Sequence, residues 1–204
     1  MSRPLLSMAL VLAFSLVLPG GSHRASGAPA HVSHAGKFLV AAPSMPDPRF
    51  AGTVILLVEH GQKGALGFVI NRVNGHRPIA EILTALGRET AGVKGDIDLH
   101  WGGPVERNVA VVLHSRDYKG ADTRPAPGGM ALTGDPGVLR AIGQGKGPKR
   151  FIFLRGYAGW RAGQLERELA AKAWVVVPAD PALVFVRNHH QTWKRAYARR
   201  GHDL

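Results

Sequence analysis

"GTVILLVEHGQKGALGFVINR", residues 52–72, decides the architecture. Its two halves are apolar runs, the first rich in β-branched residues, and the four residues between them, 61–64, begin and end with glycine. Strong strand formers on either side of a short Gly-bounded turn predict a β-hairpin. Neither half alternates cleanly between apolar and polar residues. Both strands are therefore expected to be covered on both faces.

The same reading extends outward in both directions. Residues 36–43, GKFLVAAP, predict an earlier strand that ends where Pro43 removes a backbone donor. SMPDPRF, residues 44–50, links that strand to the hairpin. Downstream, residues 77–87 predict a short helix, with Pro78 at the first helical position and Gly87 at the exit. DIDLHW (96–101) and NVAVVLHS (108–115) predict strands around the turn GGPVE, and residues 116–129 read as a mobile surface loop. MALTG (130–134) predicts a short strand, and DPGVLRAIGQG (135–145) a short helix capped by Thr133 or Asp135.

RFIFLRGYAG (150–159) predicts another buried strand. The clearest helical pattern is GWRAGQLERELAAKA (159–173), where Ala162, Leu165, Leu169 and Ala173 form one stripe. Gly159 and Gly163 would let that helix approach a strand closely. WVVVP (174–178) and ALVFVR (182–187) predict two more strands, and HHQTWKRAYARR (189–200) a final basic helix. Interleaved elements with several tight turns give a single α+β domain with a mainly antiparallel sheet.

The first 30 residues stand apart. Arg3, the uncharged apolar run of residues 5–18 and the small-residue stretch Ala28, Pro29, Ala30 have the layout of a secretory signal. Cleavage near Ala30 and export to the periplasm or medium are the expectation, with cytoplasmic residence as the alternative. The apolar run falls short of the roughly 20 residues of a membrane span, so no stable span is expected after cleavage. The remaining 174 residues suit one domain and a sizeable core. The absence of cysteine excludes disulfides, thiolate metal sites and cysteine nucleophiles. The formal net charge is +12, and +10 once the two arginines of residues 1–30 are removed. Such a balance favours encounter with polyanions without specifying one.

Three stretches carry candidate chemistry. In SMPDPRF the prolines stiffen the loop, Asp47 can define the turn, and the Arg49 fork beside Phe50 suits an anion. Polar loop residues more often close their own turns, which makes the same loop a rigid corner, with Arg49 paired to Asp47 or Glu166 as a buried structural bridge and Met45 and Phe50 tucked into the core. Gly102 and Gly103 of GGPV allow a small anion nest, although a plain turn explains them as well. Tyr157, Trp160, Gln164 and Glu166 could line a polar-aromatic pocket or form a structural network, with Trp160 and Gln164 expected on one helix face. No P-loop, dinucleotide fingerprint, HExxH or G-x-S-x-G elbow occurs. A triad of Ser44 or Ser115 with His60 or His114 has no support from spacing. No metal site or cofactor is expected.

FLVAAPSMPDPRFAGTVILLVEHGQKGALGFVINR, then GGPV, VVLHS and GYAGWRAGQLERELAAKAWVVVP, resemble the YqgE/AlgH family of bacterial proteins in content and order, over residues 37–185. The INR segment of that match adds Asn71 to the candidate set. The resemblance implies a highly curved sheet with a small barrel-like part, flanked by helices. It implies no enzymatic activity, and the family's transcriptional-regulator label has no DNA-binding motif behind it here. Family members usually begin near residue 35 and have proline where Val73 stands. The resulting expectation is a non-catalytic binding or regulatory domain for an unknown small ligand or protein. Its rivals are an enzyme with a site around Asp47, Arg49 and Glu166, and a nucleic-acid binder using the basic C-terminal helix. Specific DNA binding is not expected.

Overall fold

The computed structural model describes residues 32–201. The expected signal segment, residues 1–30, lies outside them. Within them β1 (Lys37–Ala41), β2 (Val54–Gly61) and β3 (Gly64–Val69) form the expected antiparallel meander. A bulge between Leu57 and Glu59 increases the local twist of β2. The strands follow in the order β10-β1-β2-β3-β9-β6-β8-β7, where β6 is Val105–Ser115, β7 Thr123–Ala126, β8 Met130–Thr133, β9 Phe151–Arg161 and β10 Trp174–Pro178. The sheet curls into a half-barrel, and with the short helices the domain is α+β.

Strand β9 is the spine. It pairs with β6 through residues such as Val112 and Phe153, and further along with β3, where Ala65 faces Trp160. Beside its first half runs β5 (Asp96–Trp101), in parallel, with β4 (Val73–Pro78) beyond it. Gly156, at φ +69°, bends the spine where these partners change. The GGPV glycines are explained here. A Cβ on Gly103 would lie 2.1 Å from the Tyr157 carbonyl carbon, and one on Gly102 would lie 2.2 Å from the Gly156 oxygen. Their role is close backbone packing against β9.

Three apolar clusters result. The inner face of the curl packs Phe38, Leu56, Phe68 and Leu154 under Leu183, Val184 and Ala196. Helices α1 (Ile79–Ala85) and α2 (Gly137–Gly143) cover Ile97, Val112 and Phe153 on another side. Helix α3 (Gln164–Ala170) and the 44–50 loop cover Leu39, Ile55 and Trp174.

Three expectations need correction, and one strand is unanticipated. Residues 73–78, which carry no apolar pattern, are the exposed edge strand β4. The expected loop 116–129 contains β7, which pairs with β8 despite Pro125 because it lies at the sheet edge. Residues 182–187 are not a strand. Pro181 starts the short helix α4 (Pro181–Val184), and the Asp180 carboxylate accepts the Ala182 N–H as its cap. Finally, β9 continues through Trp160 and Arg161, and α3 starts only after Gly163 at φ +70°. Trp160 and Gln164 therefore do not share a helix face, and Gly159 belongs to the strand.

Candidate functional site

The 44–50 loop is locked from within and from below. Asp47 Oδ1 accepts the Arg49 N–H at 2.9 Å, and the carboxylate holds the Arg49 guanidinium at 2.6 Å. Those hydrogen bonds from Arg49 hold the Asp47 carboxyl below its ordinary range, and Asp47 in turn raises the Arg49 value. The pair is exposed, with 59% of the Arg49 side chain accessible. It is thus a surface brace, not the buried bridge that one reading of the sequence required. From below, Asn71 clamps the loop's far end, accepting the Val54 N–H at 2.8 Å and donating to the Gly52 carbonyl at 2.9 Å. Arg72 donates to the carbonyls of Arg49 and Ala51 and stacks over Trp101 at 5.2 Å.

Phe50 turns inward, with its ring 5.7 Å from Trp101 and 5.6 Å from Trp174. Trp160 and Trp174 both donate their indole N–H to Glu168 Oε2, each at 2.8 Å. Gln164 donates to the other Glu168 oxygen at 2.9 Å. Glu168 is the hub that sequence reasoning missed. Its position one helical turn after Gln164 was the available clue. Glu166 faces elsewhere, at 3.0 Å from His60 Nε2. His60 Nδ1 accepts the His34 N–H, so its ring carries the proton on Nε2 and donates it to Glu166. Glu166 is therefore not the partner of Arg49, and Asp47, Arg49 and Glu166 are tied into separate interactions. Tyr157 donates to Glu106 at 3.3 Å.

The serine–histidine arrangement also resolves. Ser115 Oγ donates to Asp117, whereas His114 Nε2 meets Thr133 Oγ1 at 2.8 Å and His114 Nδ1 meets the Ser115 carbonyl. The carbonyl can only accept, so the proton sits on Nδ1 and Thr133 donates to Nε2. Thr123 then donates to Thr133, and accepts from the Gly120 N–H. Burial pushes the His114 value down.

Beside the loop, under Arg72, two adjoining depressions of about 470 and 610 Å³ share Asp98, Arg187 and His189 and so form one groove. Asn71 and Arg72 stand at one end, and Lys149 and Arg150 at the other. His76 is hydrogen-bonded to Asp98 at 2.8 Å and lies 3.4 Å from Asp96, and these carboxylates, Asp98 first, raise its value. On the floor His100 Nε2 lies 3.1 Å from His189 Nε2. Burial, then the neighbouring His189, pushes His100 down to about 4, and burial lowers His189 as well. Among the described residues no group of three or more His, Asp or Glu is arranged around a metal position, and no helix is long and apolar enough to cross a membrane.

Comparison with known proteins agrees with this architecture. A family described as AlgH-like (DUF179) matches residues 38–204. A UPF0301 protein of Methylococcus capsulatus is 41% identical over 174 residues, covering 85% of this chain and 95% of the relative. The UPF0301 protein AlgH of Pseudomonas aeruginosa is 41% identical over 178 residues, covering 86% and 92%. The solution structure of the Pseudomonas aeruginosa AlgH protein superposes with a TM-score of 0.69 at 39% identity, covering 86% of this chain and 92% of that one. The crystal structure of a Corynebacterium diphtheriae protein, 22% identical, shares the fold at a TM-score of 0.63 over 89% and 92% of the two chains. The chain belongs to the AlgH-like family (DUF179, UPF0301) of uncharacterised proteins.

Proposed function

We propose that this protein is a non-catalytic binding domain that holds a small anionic molecule, a carboxylate or a phosphate, in the groove beside the 44–50 loop. One observation carries the reading: Arg187 lines both depressions of a groove of ligand size, with Lys149 and Arg150 at one end and Arg72, held on the loop carbonyls, at the other. Planar guanidinium groups at separate points of a groove suit bidentate capture of oxyanions. Asp96 and Asp98 also line the groove, where their contacts with His76 offset part of their charge. The loop's contribution is rigidity. Its clamp residues Asn71 and Arg72 line the groove, so the brace at Asp47 and Arg49 fixes the groove wall.

The test is calorimetric titration, with chelator present, against inorganic phosphate, a tricarboxylate and a nucleoside monophosphate. Saturable binding of at least one probe that is lost in Arg187→Glu supports the reading. Absence of saturable binding across the three, or binding indifferent to Arg187→Glu, overturns it.

A further inference from the structure

The groove floor holds a pair of side chains that anion binding does not use. His100 lies on β5 and His189 in the 3-10 turn His189–Gln191, which leads into α5 (Thr192–Tyr197). The fold brings their rings nitrogen-first to 3.1 Å between Nε2 atoms, with ring centroids 4.9 Å apart and planes at 83°. Two imidazoles in this pose share a proton or face a common third atom. Bonds of about 2.0–2.1 Å at a tetrahedral zinc hold two ligating nitrogens about 3.3 Å apart. The observed pair is within a few tenths of an ångström of that spacing.

Proton sharing fits the 3.1 Å contact but leaves a buried group unpaired. The ring that accepts through Nε2 must keep its own proton on Nδ1, and both Nδ1 atoms are buried without a hydrogen-bond partner. Coordination through both Nε2 atoms puts each ring's proton on Nδ1, where water in the groove would have to accept it, and replaces one neutral N–H···N contact with two metal–nitrogen bonds. Asp98 borders both depressions and its charge favours a cation at either ring, partly offsetting Arg187, Lys149 and Arg150.

We propose that His100 and His189 form a two-point site for a divalent transition ion of the kind imidazole selects, such as zinc, nickel or copper. The protein supplies two ligands, and water or a groove-bound oxyanion completes the coordination sphere. The site stands on the histidine geometry alone, so it can hold or fail independently of the anion reading.

Titration of the untagged protein with zinc, and separately with nickel, tests it without any other ligand. One equivalent should bind with a dissociation constant on the order of micromolar, and zinc should raise the melting temperature. His189→Ala, at a half-buried turn, should weaken binding by about tenfold or more and abolish the thermal shift. His100→Gln should do the same wherever it folds, whereas His76→Gln should bind as the unaltered protein does. Absence of stoichiometric binding overturns the proposal. So does affinity unchanged by His189→Ala, or affinity lost only in His76→Gln.

Discussion

Trp160, at the end of β9, and Trp174, at the start of β10, donate their indole hydrogens to the same Glu168 oxygen, each at 2.8 Å. Two strand termini and helix α3 are thereby joined at one carboxylate. Removing that carboxylate leaves two indole N–H groups in a largely buried aromatic cluster. Glu168→Ala should destabilise by roughly 2–4 kcal/mol, since bonds to charged acceptors and stranded buried donors are the costly kind. Glu89→Ala, whose carboxylate is 80% exposed and meets the solvated Arg140, should cost far less. Denaturant melts of the two variants decide it, and equal losses would reject Glu168 as the hub.

Arg49→Ala should leave the melting temperature essentially unchanged. Its ion pair with Asp47 is solvated, and exposed pairs contribute little. Asn71→Ala removes both an acceptor for Val54 and a donor to Gly52, and should cost about 1–3 kcal/mol. Thermal melts showing the reverse ranking would mean that the brace, not the clamp, holds the loop.

Gly103→Ala should prevent folding or destabilise by more than about 4 kcal/mol. A methyl group there meets the Tyr157 backbone at 2.1 Å, and backbone cannot yield as a side-chain tip can. Gly87→Ala, at φ +67° with open space around it, should cost only the modest penalty of a left-handed residue. Soluble, fully folded Gly103→Ala by circular dichroism would contradict the packing role.

Stability should fall on mild acidification. His114 is buried with a lowered value, so the unfolded chain binds its proton more readily. This contribution is fully present above the unfolded value of about 6.5 and is lost as pH drops from there through the lowered native one. Protonation would also place a hydrogen on Nε2, where Thr133 now donates. His114→Asn should reduce the loss of unfolding free energy between neutral and mildly acid pH without abolishing it, because His100 and His189 also have lowered values. An unchanged pH profile in that variant would assign the acid sensitivity elsewhere.

By itself the sequence determined what local chemistry can dictate. Apolar strand-forming runs around a Gly-bounded turn marked residues 52–72 as a hairpin, and the prolines of residues 44–50 marked a rigid corner. Asp47 and Arg49 were legible as a pair because they lie two residues apart. Tertiary structure decided whatever depends on partners distant in the chain. Trp160 has helical neighbours in sequence, yet Ala65 of β3 draws it into the sheet through pairing that no local period encodes. Strand β4 exists because β5 is beside it, and residues 182–187 yield to the Asp180 cap despite their strand-like composition. Glu168 becomes a hub only once two strand ends meet over α3, and His100 meets His189 only because the chain returns 89 residues later to the floor of the same groove. Short-range sterics and turn preferences are written residue by residue, whereas strand neighbours and converging side chains follow from the global packing of the apolar faces.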